Sequence, residues 1–170
     1  VAKPVIVVMG VSGCGKSTVG AIIAERLGLP YADGDDFHPT ANIEKMAAGI
    51  PLTDEDRYPW LVIVAEWLAE HDHTGGVAAC SALRRDYRER VLAIAPDVFF
   101  VHLAATREEL LRRMTSRMGH FMPALLLDSQ LEALQPLSPD EPGVTLDAMV
   151  SPNELANQAI DAWKLAHPQS

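Results

Sequence analysis

Two cysteines, Cys14 and Cys80, are all that the 170 residues contain, too few for a disulfide framework. Nothing at the chain start combines basic residues with a long apolar stretch and the small-residue cleavage site of a secretory leader. A reducing cytoplasm is therefore the expected compartment. Long apolar runs are missing too. The longest, around Trp60 to Ala69, is broken by Glu66 and falls short of the roughly 20 residues that a bilayer crossing needs. Positive charge is scarce, with 14 Lys and Arg against 23 Asp and Glu and a formal net charge of -9. The resulting field repels nucleic acid and anionic lipid, so neither is an expected partner, and an anionic ligand has to be held locally.

What is present is ordinary globular material. The 48% hydrophobic and 22% charged content, with 11 Gly and 12 Pro, excludes a collagen-like, low-complexity or disordered chain. The length suits a single domain, residues 1–170, able to bury roughly 70% of its unfolded surface.

Short β-branched runs alternate with helical patterns. Pro4 to Met9 reads as a strand buried on both faces, and Lys16 to Leu27 as a helix stopped by Gly28. Tyr31 to Asp33 is a brief extended piece, and Ala41 to Ala48 favours a helix ended by Gly49. Thr53 to Asp56 is a capping-box pattern opening a helix through Leu68. Gly76 to Cys80 and Val98 to Leu103 are further strands, separated by a basic helix from Arg84 to Ile94. Thr106 with Glu109 caps a helix to about Met118, Val144 to Asp147 can form a fifth strand, and Ser151-Pro152 opens the last helix. The class is α/β: three layers with a mostly parallel five-stranded sheet, ligands lying beyond the strand C-termini.

The strongest motif is Gly10-Val11-Ser12-Gly13-Cys14-Gly15-Lys16-Ser17, followed by Thr18. It fits G-x-x-x-x-G-K-[ST] and lies between a strand and a helix. Its amides can cradle phosphate oxygens at the positive end of the helix dipole. Lys16 would reach the outer phosphates, and the Ser17 hydroxyl suits Mg²⁺, a hard cation that prefers oxygen. The Gly76–Cys80 strand runs on into Ser81, without the metal-holding acid of motor ATPases, and no Asn-Lys-x-Asp guanine reader occurs. The acids cluster instead in Asp33-Gly-Asp35-Asp36-Phe-His38-Pro39, beside the loop's phosphates. There one carboxylate could position a metal-bound water and another accept a proton from an attacking hydroxyl, which points to transfer onto a small acceptor. Asp36 reads more simply as a solvated turn residue.

These residues resemble the gluconate kinases (gluconokinases), in the shikimate-kinase and adenylate-kinase-like branch of the phosphotransferases. Besides the loop, the resemblance runs through Asp33-Gly-Asp35, His38-Pro39, Asn42 to Met46, Leu52 to Trp60, Cys80 to Leu83, Tyr87-Arg88, Arg117 to Phe121 and Ser129-Gln130. It implies ATP-dependent phosphorylation of the terminal hydroxyl of D-gluconate with Mg²⁺, by a homodimer. Kinases of another small hydroxy acid such as shikimate, or a non-catalytic nucleotide-binding module, are the alternatives. By comparison with shikimate kinases, Asp35 is the proton acceptor and Asp33 supports Mg²⁺ through water.

Gluconate presents one carboxylate and a row of hydroxyls. Arg57 offers a fork for the first, and Asp35, His38 and Asn42 offer partners for the second. Arg84 stands where family members often have Lys; it keeps the charge and alters hydrogen-bond geometry. Arg113 and Arg117 lie four apart on one helical face before Gly119. They resemble the start of a mobile lid, about 113–135, that closes over ATP, with Arg117 acting on the transferring phosphoryl group and His120 meeting gluconate or the closed lid. Trp60 and Trp67 read as packing residues, and Cys14 as a small space-filler.

Overall fold

The computed structural model describes residues 3–11, 13–118 and 122–168, with side chains described outside 114–126. Five strands, β1 (Val5–Met9), β2 (Tyr31–Asp33), β3 (Gly76–Ala79), β4 (Phe99–Ala104) and β5 (Gly143–Asp147), form one sheet in the order β2-β3-β1-β4-β5. Every pairing among them is parallel. Because β1 is central, its five residues are all buried, and period-two alternation divides them between two cores. Ile6 and Val8 pack under α1 (Lys16–Leu27) and α7 (Pro152–Ala166), whereas Val5, Val7 and Met9 pack under α3 (Asp54–Glu70) and α4 (Arg85–Ile94). Each such side chain contributes about 1.5–3 kcal/mol of burial. These are the three expected layers.

Local signals account for the helix ends. Gly28 takes φ 66°, and Leu29 N–H donates to Ala24 O at 2.8 Å, closing α1 with a left-handed cap. Thr53 and Asp56 exchange both bonds of the capping box that opens α3. Thr106 and Ser151 cap α5 (Arg107–Met118) and α7 through Glu109 N and Glu154 N. Two elements go beyond the sequence reading. Gly34–Phe37 forms a 3₁₀ turn before α2 (Thr40–Ala47), and α6 (Met122–Ala133) occupies much of the expected lid segment. Arg107 and Asp128, 2.6 Å apart, tie α5 to α6.

His102 on β4 is 2% exposed, with its Nδ1 buried and without a hydrogen-bond partner among the described residues. It shares the face of Phe100, and burial, reinforced by Arg88, lowers its pKa from the usual 6.5. Neutral imidazole is thus favoured in the fold, while the unfolded chain takes a proton at the ordinary value. Stability should therefore fall as pH drops below 6.5. His102→Leu removes an orphan polar atom worth about 1–3 kcal/mol of cost. Thermal melts should show a variant at least as stable at pH 7, with a shallower acid decline. An unchanged acid slope would show that His102 is not its source.

Candidate active site

Strand order reverses at β1, so the loop after Met9 opens into the crevice beyond the strand C-termini. Gly13 and Gly15 adopt φ of 86° and 97°, curling the loop into the first turn of α1. Gly10 has no space for a side chain: a Cβ there would lie 2.7 Å from Cys14 Sγ and 3.0 Å from Leu103 O. Cys14 is correspondingly buried, and burial pushes its thiol pKa up, with Lys16 and Arg113 drawing it partly back. It fills space. Lys16 folds over the loop, its Nζ donating to Val11 O at 3.3 Å. Ser12 lies outside the described residues.

The acidic turn meets the loop directly. Ser17 Oγ donates to Asp33 Oδ2 at 3.2 Å, and Asp33 Oδ1 accepts Asp35 N–H at 3.0 Å, capping the 3₁₀ turn. One carboxylate therefore joins the phosphate loop to the turn and fixes the backbone of Asp35, an exposed residue. Hydroxyl and carboxylate oxygens at this spacing fit a small hard cation that takes one or two protein oxygens, phosphate and water. Among the described residues no group of three or more His, Cys, Asp or Glu could cage a metal.

On the acceptor side, His38 stacks on Trp60, centroids 4.3 Å apart and planes at 13°. Trp60 in turn donates Nε1–H to Gly34 O at 2.7 Å. Burial lowers the His38 pKa; Asp35 opposes that shift and Arg57 reinforces it. Asn42, offered by the sequence as a partner for substrate hydroxyls, is 3% exposed, and its amide bonds His38 Nδ1 at 3.2 Å and Asp56 O at 2.9 Å. Lys45 pairs with Asp56 at 2.7 Å and holds that carboxyl down at about 2. Arg57 donates through one nitrogen to Leu52 O at 2.9 Å and to Tyr87 Oη at 3.4 Å. Arg84 directly precedes α4 and is half-buried, its Nε enclosed without a hydrogen bond.

Beside the loop lies a cleft of about 320 Å³, bounded by the start of α1 and the β5–α7 connection and lined by Gly13, Gly15, Thr18, Arg113, Ala148 and Val150 among others. Arg113 is built into its wall. It donates to Gly13 O at 3.3 Å, Cys14 O at 3.4 Å and Ala148 O at 2.8 Å, with Glu109 steadying its Nε. Arg117 lies on α5 with its side chain outside the described residues, and His120 lies outside them altogether.

Three supporting roles escaped the sequence reading. Trp60 packs in the core as expected, 2% exposed, and is also a platform for His38 and a donor to the Gly34 carbonyl. Tyr87 Oη donates to Asp54 at 2.5 Å and receives Arg57, steadying the expected carboxylate fork. Arg88, 1% exposed in its side chain, pairs with Glu141 and donates to Ala82 O at 2.9 Å and Gln135 O at 2.9 Å, pinning the loop that carries Arg84. The four-residue spacing of His38 and Asn42 was the one legible hint; the Arg88 and Tyr87 partners are distant in sequence.

Known proteins agree with this geometry. The shikimate kinase family model matches residues 12–139. A gluconokinase of Gluconobacter oxydans is 45% identical over 157 residues, covering 91% of this chain and 88% of the relative. The crystal structure of a gluconokinase from Sinorhizobium meliloti superposes with a TM-score of 0.87 at 44% identity, covering 96% of this chain and 94% of that one. A shikimate kinase from Aquifex aeolicus, 15% identical with a TM-score of 0.58, shares the fold alone. With a family model over most of its length and relatives of this identity and coverage, the chain belongs to the gluconokinases, within the shikimate kinase family.

Proposed function

We propose that this enzyme transfers the γ-phosphoryl group of ATP to the terminal hydroxyl of D-gluconate, giving 6-phospho-D-gluconate and ADP. The observation that carries the reading is the Ser17–Asp33 contact, which ties the turn bearing Asp35 to the phosphate loop and so supports a role for Asp35 near the outer end of a nucleotide held there. Loop amides and Lys16 hold the phosphates, and the cleft beside Ala148 and Val150 takes the base. Ser17, with Asp33 through water, would hold Mg²⁺, which neutralises phosphate charge when bound. Asp35 accepts the hydroxyl proton as the acceptor oxygen bonds phosphorus and the bond to the β-phosphate oxygen breaks.

Arg57, held by Leu52 and Tyr87, and Arg84 face the acid's carboxylate in this reading. Residues 113–135 act as the lid, with Arg117 and His120 reaching the closed site. The active form is a homodimer in the cytoplasm; none of the described helices is long and apolar enough to cross a membrane. Coupled ADP release tests the assignment. Turnover with Mg²⁺ should require D-gluconate and be far lower with shikimate or with no acceptor. Equal rates without acceptor would remove the reading.

A further inference from the structure

The backbone fixes the entry to α2 first. His38 precedes Pro39 and is held extended at φ −65°, ψ 133°, as a residue before proline prefers. The chain then turns into α2, bringing Asn42 back under the His38 ring. Asp56 O can only accept a hydrogen bond, so the Asn42 group facing it at 2.9 Å is the NH₂. The same nitrogen lies 3.2 Å from His38 Nδ1 and has its second hydrogen to give. Nδ1 must therefore present a lone pair, which leaves the ring proton on Nε2. Stacking on Trp60 holds the plane of the ring, and a flipped ring would put a C–H against the Asn42 amide in place of Nδ1.

The other edge of the ring is open. Nε2 has no hydrogen-bond partner among the described residues and is not enclosed. Asp35 lies three residues earlier across the 3₁₀ turn, whose i and i+3 side chains eclipse, and His38 N–H donates to Asp35 O at 3.4 Å. The Asp35 carboxylate is also near enough to act on the charge of the imidazole, so an acceptor and a donor flank the same turn. Such a pair complements a hydroxyl group, which gives its hydrogen to one and offers a lone pair to the other.

We propose that His38 serves the acceptor as a neutral hydrogen-bond donor through Nε2–H, and that Asn42 is the positioning residue that sets this tautomer. The inference rests on the gluconate-kinase reading for the identity of the acceptor, but not for the tautomer. A base needs a free lone pair facing the substrate, and His38 turns its lone pair inward to Asn42. Proton acceptance therefore falls to Asp35, and His38 orients the oxygen. Its ligand class is a polyol hydroxyl, with specificity against acceptors that lack an oxygen at that point.

The test begins with the unliganded full chain. Long-range ¹H–¹⁵N spectra at pH 7, with His38 assigned by its loss in His38→Gln, should show a bare Nδ1 and a protonated Nε2. A protonated Nδ1, or an imidazolium, overturns the proposal whatever the substrate proves to be. Kinetics supply the second reading. Gln can place an amide donor near the Nε2 position, whereas Asn reaches only the Nδ1 position. His38→Asn should raise KM for gluconate by about tenfold, the scale of one lost hydrogen bond, with KM for ATP unchanged, and His38→Gln should recover most of it. Asn42→Ala should raise the gluconate KM in the parent and add little in the His38→Gln background. Fully multiplicative effects would give Asn42 an independent role and overturn its positioning assignment. If the parent shows no gluconate-dependent turnover, the functional reading fails while the tautomer measurement still decides this one.

Discussion

Changing Asp35 to Asn is expected to lower turnover by about 10²- to 10⁴-fold, the range for a positioned acid–base group, with ATP affinity nearly unchanged. The substitution is nearly isosteric, and the Asp33 bond that fixes this position goes to the backbone N–H, which Asn keeps. The turn, the Ser17–Asp33 contact and the loop amides should all survive, so the nucleotide still binds. What is lost is a proton acceptor at the moment the hydroxyl oxygen attacks. At about 1.4 kcal/mol per tenfold, the penalty is roughly 3–5 kcal/mol of barrier. Rapid-quench single-turnover measurements separate this from slow product release. A full-rate single turnover in Asp35→Asn would show that the proton leaves by another route.

Arg88→Met is expected to cost about 3–5 kcal/mol of stability, the scale for removing one partner of a buried ion pair. Glu141, 5% exposed in its side chain, would keep a buried carboxylate with its cation gone, and the carbonyls of Ala82 and Gln135 would lose a donor. For a chain of this size the melting temperature should fall by roughly 2–4 °C for each kcal/mol. The double variant Arg88→Met with Glu141→Leu should recover much of the loss, since an apolar replacement of a buried pair is often neutral. A single variant that melts with the parent would mean that the pair is already solvated. Because Arg88 holds the Ala82–Leu83 carbonyls, gluconate affinity should weaken before nucleotide affinity as the variant is warmed.

The fold was legible wherever one local rule decided an element. Strand β1 is apolar because both its faces are covered, and the Thr53 and Gly28 signals bracket helices that depend on them. The phosphate loop was legible for the same reason: the glycines, Lys16 and Ser17 act through adjacent backbone. Helix α6 was not, because no capping residue announces it after Gly119. The polar chemistry around the acceptor was legible in its members and not in their arrangement. Asn42 reads as a partner for substrate hydroxyls until Asp56 and His38 are seen to use it, and Arg88 reads as one more cation of a basic helix until Glu141, 53 residues away, closes on it.

The sheet also divides the labour of the enzyme. The core beneath α1 and α7 underlies the cleft beside the phosphate loop, whereas the core beneath α3 and α4 underlies the acidic turn, and the proposed function gives the first to the nucleotide and the second to the acceptor. Mutational drift on one face can then retune the taste for small acids while the grip on the energy donor is inherited intact, so a change of diet requires repacking only one half of the molecule.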